Sequence, residues 1–437
     1  LEVVLIDRPG FPSLSAQLSV RAGSDVTAGR PEVSDLVSRL LTDGTENYDA
    51  ASLARWIDSS GVSFGASAGS NRMVLYASGL TTATDSVLDL LAEVATSATF
   101  PDDRVEARKA EYIDEIALSA SQPSYHANRR IRRVLFGDHV YGVTVAPEAI
   151  AEVTPDDLRA FYGSTFGPNR ARLVIVGDLN DDIDERIAAT LGSWDNETSD
   201  YAIDAPEAIS TCNEAHVVVR PDSAQTAIRF VGPAMSRDED TYFAGLVANQ
   251  VLGGGPSARL FMNLREDKSY TYSAYSGMRH LAGASYFYAS SDVRSDVTEP
   301  AISEFLVEFD RLGPDMIEAS ELTESVDYLA GVYPIELERN SSLAGRISQL
   351  LDEGLSIDFL RTYREQVREV SIEAAGAIGD ELTEADGLTL VLVGVRDAVV
   401  PAATAHSSRV YVYDLEGELI ETLEGDLPST CTAEAPQ

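Results

Sequence analysis

Near its middle the chain starts over. The first copy opens with the run Val3, Val4, Leu5, Ile6, then Asp7-Arg8-Pro9 and the alternating Leu14, Ala16, Leu18, Val20. The second opens with Val217, Val218, Val219, then Arg220-Pro221-Asp222 and the alternating Ala227, Arg229, Val231. Both read as strand, turn, strand. The closing segments match as well. Thr154 caps a helix with Pro155 at its first position, and the strand Leu173, Val174, Ile175, Val176 ends at Gly177. Ser371 caps the equivalent helix, and Leu390, Val391, Leu392, Val393 end at Gly394. Cap and glycine lie about 23 residues apart in both copies, a match that unrelated segments seldom share. The chain is therefore expected to form two homologous domains, 1–195 and 214–412. A linker at 196–213 carries Pro206, and a tail fills 413–437.

Within each copy, long amphipathic helices separate the hairpins. In 84–97, Val87, Leu88, Leu90, Leu91 and Val94 make one apolar stripe. Residues 105–118 form a second helix with a charged outer face, and 298–312 and 318–333 are their counterparts. The expected class is α+β: in each domain a mostly antiparallel sheet with helices on one side. The two uncovered sheet faces would then look at each other as half of a clam-shell.

Composition removes several functions. Among 437 residues, 71 are Asp or Glu and 33 are Lys or Arg, a net charge of -38. A phosphate backbone needs a cationic face, so nucleic-acid binding is excluded. The acid is spread in short groups, and the lysines are Lys109 and Lys268 alone, a pattern suited to strong brine. No apolar run approaches the roughly 20 residues that span a bilayer. Residues 1–7 read as a strand rather than a signal segment. The missing natural start, together with the resemblance described below, implies an extracytoplasmic, periplasmic chain after signal removal, with the cytoplasm as the alternative. Two cysteines, Cys212 and Cys431, make neither a zinc cluster nor a disulfide scaffold; whether they pair stays open.

One stretch carries chemistry. Gly253, Gly254, Gly255, Pro256, Ser257, Ala258, Arg259, Leu260, Phe261 is followed by Leu264-Arg265-Glu266 and by Ser269-Tyr270-Thr271-Tyr272. It resembles the C-terminal domain of the inverzincin (pitrilysin-like, M16) metallopeptidases, in their short-subunit, processing-peptidase-like branch. The likeness covers nearly the whole chain. It takes in the Asp7-Arg8-Pro9-Gly10 opening, the Gly44-Thr45 turn, the stretch from Phe136-Gly137 to Tyr141-Gly142, and Ser290-Ser291-Asp292-Val293-Arg294.

The family resembled carries His-x-x-Glu-His on a helix. Two histidines at that spacing share one helix face and bind zinc, the Glu activates the metal-bound water, and a distant Glu completes the ligand set. Those positions fall here on Asp35, Ser38 and Arg39, with the distant Glu at Glu115. Both histidines and the general base are absent, and an Arg at a ligand position repels a divalent cation. The five histidines, His126, His139, His216, His280 and His406, show no ligand spacing.

The resemblance further implies that Arg265 and Tyr272 hold the substrate carbonyl: Arg offers a rigid fork and Tyr a hydroxyl donor. The glycine run Gly253, Gly254, Gly255 follows a helix rather than a strand and lacks a following Lys-Ser/Thr, so it is a loop near a cleft wall, not a phosphate loop. The expectation is a non-catalytic subunit of a heterodimeric zinc endopeptidase. Its cofactor, zinc, would sit in a homologous zinc-bearing partner, and its substrate would be a peptide or unfolded protein. The alternative is an inactive, peptide-binding or structural homodimer.

Overall fold

The computed structural model describes residues 1–27, 29–198, 206–313 and 315–431. Its strands are β1 (Glu2–Asp7), β2 (Ser13–Val20), β3 (Ser63–Ala68), β4 (Met73–Leu80), β5 (Ala171–Gly177), β6 (Glu214–Val219), β7 (Gln225–Pro233), β8 (Thr271–Leu281), β9 (Ala284–Arg294), β10 (Thr389–Gly394), β11 (Arg409–Tyr413) and β12 (Leu419–Glu424). They form two sheets, ordered β1-β5-β2-β4-β3 and β12-β11-β6-β10-β7-β9-β8. Take away β11 and β12 and the two orders are the same, strand for strand. The duplication in the sequence is a duplication in space.

Pairing is mostly antiparallel in both sheets. β1 runs parallel to β5, and β6 runs parallel to β10 and β11. The hairpin β11–β12 covers the edge of β6, so the second sheet extends past residue 412 into the segment set apart as a tail. Of the expected linker, residues 199–205 lie outside the described residues, as do 432–437 of the tail.

The first compact unit comprises Leu1–Ala117, Val143–Asp204 and Tyr333–Phe359. Strand alternation sorts β2 into two rows. Leu14, Ala16, Leu18 and Val20 are buried, as are Val87, Leu88 and Leu91 of the helix Thr84–Ser97, which packs on β2 and β4. Each such large side chain stabilises by about 1.5–3 kcal/mol. The other row, Ser13, Ser15, Gln17 and Ser19, receives the helix Asn340–Asp352, which packs on β2 and β5. Polar ties fix both its ends. Asn340 Nδ2 donates to the Ser13 carbonyl at 3.0 Å, and Asp352 accepts from Ser19 at 2.9 Å while pairing with Arg72 at 2.9 Å and with Arg172.

The second unit comprises Leu118–Gly142, Ala205–Val332 and Leu360–Gln437. Its sheet takes the helix Pro123–Phe136 on one face: Ile131, Leu135 and Phe136 pack with Val231 and Val391, and Ala127 packs with Ala227 and Val393. Arg130 stands 3.4 Å over the Tyr413 ring, and Arg129 and Arg130 donate to carbonyls of the β11–β12 turn, at Glu416 and Gly417. Phe230, Phe305 and Phe309 fill the other face. Each sheet thus gains one helix from the other half of the sequence, on the face opposite its main helical layer. Cys212 and Cys431 form a disulfide. Hydrogen bonds between Asn213 and the strap around Pro428 and Thr430 accompany it.

Candidate functional site

The helix Pro31–Leu40 starts with Pro31 at its first position and buries Val33, Leu36, Val37 and Leu40, together with Glu32 and Ser34. Only Asp35, Ser38 and Arg39 are partly open. Their i, i+3, i+4 spacing makes them one stripe, the single wet line on a sunken helix. The helix Asp102–Ala120 lays Tyr112 and Glu115 against that stripe. Arg39 Nη1 donates to Glu115 Oε2 at 2.7 Å, and its guanidinium lies 4.0 Å from the Tyr112 ring centre. The Tyr112 hydroxyl donates to Asp35 Oδ2 at 2.6 Å, and Ser38 Oγ donates to the Asp35 carbonyl at 2.8 Å. Burial pushes the Tyr112 phenol above its ordinary range, and the Asp35 carboxylate pushes the same way. Tyr112 escaped the sequence reading, although it stands one turn before Glu115 on the same helix face.

These residues do not fit zinc. A zinc site wants three or four neutral or anionic donors converging on one point. Here the one retained carboxylate, Glu115, is held by a cation fixed to the chain. Among the described residues, the one group of three His, Cys, Asp or Glu side chains close enough to share an ion is Cys212, Glu214 and Cys431, and its two sulfurs are bonded to each other. Each histidine has its own neighbour. His126 lies 2.9 Å from the Ala120 carbonyl, His139 packs on Tyr141, His280 lies 2.9 Å from Ser285 Oγ, and His406 lies 3.3 Å from Glu299. His216 stacks between Tyr411 and Tyr413, and burial holds its imidazole neutral down to about 3.

Just past the helix Pro31–Leu40, Asp43 is buried under Arg104 at 3.0 Å and Arg108 at 2.8 Å. Beside it opens a surface pocket of about 470 Å³ lined by residues that include Glu46, Tyr48, Asp49 and Arg104, which the sequence did not announce.

The second corner is built differently. The helix Tyr242–Gly253 ends at Gly254. At Gly253 a Cβ would stand 2.4 Å from the Ser276 amide, so the glycine lets the helix end press against β8. Next comes one wide turn of π-helix, Met262–Asp267, holding Arg265. Such turns are uncommon and recur at functional sites. Ser269 then adopts a left-handed backbone, φ 56°, at a cost of roughly 1–3 kcal/mol. A β-bulge between Thr271 and Ala274 re-aims Tyr272, which is 82% exposed.

This distorted path brings Arg265 and Tyr272 together. Arg265 Nη1 donates to the Tyr272 carbonyl at 3.0 Å, and the guanidinium sits between two rings, 4.6 Å from Tyr272 and 4.8 Å from Phe261. Glu266 lies 3.3 Å from Arg265 Nε. The Tyr272 hydroxyl has no partner among the described residues. The arrangement offers a pinned cation and an outward hydroxyl, which suit a carbonyl or a developing oxyanion.

Each corner lies in a segment that matches a family model. Residues 2–146 match the family model described as insulinase, peptidase family M16, and residues 152–329 match the one described as the peptidase M16 inactive domain. An uncharacterized zinc protease of Mycobacterium leprae is 27% identical over 87% of this chain and 87% of its own length. The non-peptidase homolog YmxG of Helicobacter pylori is 22% identical over 82% of this chain and 83% of its own. The crystal structure of a peptidase M16 inactive domain from Pseudomonas fluorescens superposes with a TM-score of 0.83, covering 90% of this chain and 95% of that one at 24% identity, a likeness of fold.

Proposed function

Because the chain belongs to the M16, pitrilysin-like family of metallopeptidases, we propose that it is the non-catalytic subunit of a two-chain zinc endopeptidase. The observation that carries this reading is Arg39 bonded to Glu115 where the family resembled holds its metal. The partner is a homologous chain with an intact His-x-x-Glu-His, which supplies zinc and the general base. This chain supplies Arg265, Tyr272 and the glycine loop Gly253, Gly254, Gly255. The substrate is an extended peptide or unfolded protein. The edge strands β3 and β8 give such a peptide backbone groups to pair with.

The disulfide fits an oxidising, extracytoplasmic compartment. The charge of -38 fits a salty one.

The test is zinc content and cleavage of an unfolded polypeptide, for this chain alone and mixed with a zinc-bearing M16 homologue from the same cell. The chain alone should hold no stoichiometric zinc and cut nothing, and the mixture should cut. Zinc at one per chain, or cleavage by the chain alone, rejects the reading. A second reading, a peptide-holding scaffold with no active partner, is favoured by the likeness to the Helicobacter pylori non-peptidase homolog. It predicts binding without cleavage in every mixture.

A further inference from the structure

The disagreement between the first corner and a metal site points to a use for Arg39. The guanidinium is fixed on two sides, by Glu115 at one end and by the Tyr112 ring against its flat face. An arginine has five N–H donors. Only Nη1 has an acceptor among the described residues, so the edge formed by Nε and Nη2 is unused, and the side chain is 35% exposed. A clamped guanidinium with an open edge is a pre-organised donor, since the entropy of holding a long side chain still is already met by its neighbours.

The surroundings select the ligand. Asp35 and Glu115 against Arg39 leave one excess negative charge, which turns away a free carboxylate and accepts a neutral carbonyl. The helix that carries Arg39 packs along β3, the outer strand of the first sheet. β3 has the sequence SFGASA, small side chains apart from Phe64, all of them half-buried or exposed. A peptide pairing with that edge therefore runs beside the helix Pro31–Leu40, whose only open line is Asp35, Ser38 and Arg39.

We infer that Arg39 is a peptide-gripping residue: it donates hydrogen bonds to a backbone carbonyl of an extended peptide laid along β3, and so retains the peptide without cutting it. A metal in that place would polarise the carbonyl and activate water; a guanidinium donates two hydrogen bonds and brings no nucleophile. The inference rests on the proposed function only in taking a peptide as the ligand. It requires no partner chain.

The experiment uses the isolated full chain and a fluorescein-labelled peptide of Leu, Arg and Ala, acetylated and amidated. Fluorescence anisotropy should show saturable binding, with the peptide recovered intact by mass spectrometry. Hydrogen exchange should show Ser63–Ala68 protected when the peptide is bound. Arg39→Met should weaken binding about 10-fold or more and remove that protection. Arg39→Lys, which keeps the charge but not the fork, should recover part of the affinity; it carries the test if Arg39→Met does not fold.

Binding by Arg39→Met equal to the parent, with β3 still protected, overturns the inference. So does a peptide with a free carboxylate binding about 10-fold tighter than its amidated twin, because that marks an anion site. Failure of a mixed-subunit cleavage assay bears on the proposed function alone and leaves this result standing.

Discussion

Both corners stack an arginine on a tyrosine, and they do so to opposite ends. In the first unit Arg39 lies 4.0 Å from the ring of Tyr112; in the second, Arg265 lies 4.6 Å from the ring of Tyr272. Tyr112 is 7% exposed and its hydroxyl is committed to Asp35. Tyr272 is 82% exposed and its hydroxyl has no partner among the described residues. The first pair sits on two regular helices, the second on a π-turn, a left-handed serine and a bulge. A cation over a ring therefore does not by itself say which group a corner presents: the first leaves a guanidinium edge open, the second a phenol hydroxyl. What separates the two is where the remaining donors go and whether the backbone is distorted to present them.

The comparison can be broken by rebuilding the metal site. The triple substitution Asp35→His, Ser38→Glu, Arg39→His places two imidazoles beside Glu115 on an unaltered helix pair. Elemental analysis should then rise from trace zinc to about one ion per chain. If zinc stays at trace level, the first corner is not a lost metal site. A smaller effect is expected at the second corner. In the mixture with a zinc-bearing partner, Arg265→Ala or Tyr272→Ala should lower turnover by roughly 10- to 1000-fold. The melting temperature should hardly move, because neither side chain is in a core. Unchanged turnover removes them from the chemistry.

The disulfide sharpens the contrast between the units, since only the second is stapled. It joins residues 219 apart, for which loop closure alone is worth about 5 kcal/mol at most, and measured losses run to roughly 2–5 kcal/mol. Replacing Cys212 and Cys431 by Ser should speed hydrogen exchange in β6 and β10 while leaving β2 and β5 nearly unchanged. Equal loosening of both sheets would show that the staple serves the whole chain. The smallest effect belongs to Glu115→Gln. The Arg39–Glu115 pair is about half exposed, so chemical denaturation should register no more than about 1 kcal/mol. A larger loss would make the pair a structural clamp.

The duplication was legible because capped helices and strand-ending glycines have local signatures. Thr154 and Ser371 do cap their helices, each accepting from a backbone amide three residues on. The exchange of helices was not legible. Ile131 and Leu135 form the same apolar stripe whichever sheet they meet, and periodicity names a buried face without naming what buries it. The pairing of Cys212 with Cys431 was undecided for a similar reason: sequence carries no distance between residues so far apart. Asp35, Ser38, Arg39 and Glu115 were singled out only through the family resemblance, and hydrogen bonds link them through Arg39 and Tyr112, whereas Tyr112 came only from seeing which ring lies under the guanidinium. The π-turn at Arg265 and the left-handed Ser269 were not legible either, because they depend on how β8 packs against the helix Tyr242–Gly253.

The lent helices have a consequence for how this polypeptide can be divided. Residues 118–142 lie with the second sheet and 333–359 with the first. A protease cut between the halves would sever the backbone without separating the pieces, since each fragment would still be plugged into the other. A gene for either half alone would encode a domain missing one of its own walls, with Val231 and Val391, or the row from Ser13 to Ser19, turned to water. The smallest folded piece of this protein is then both halves together.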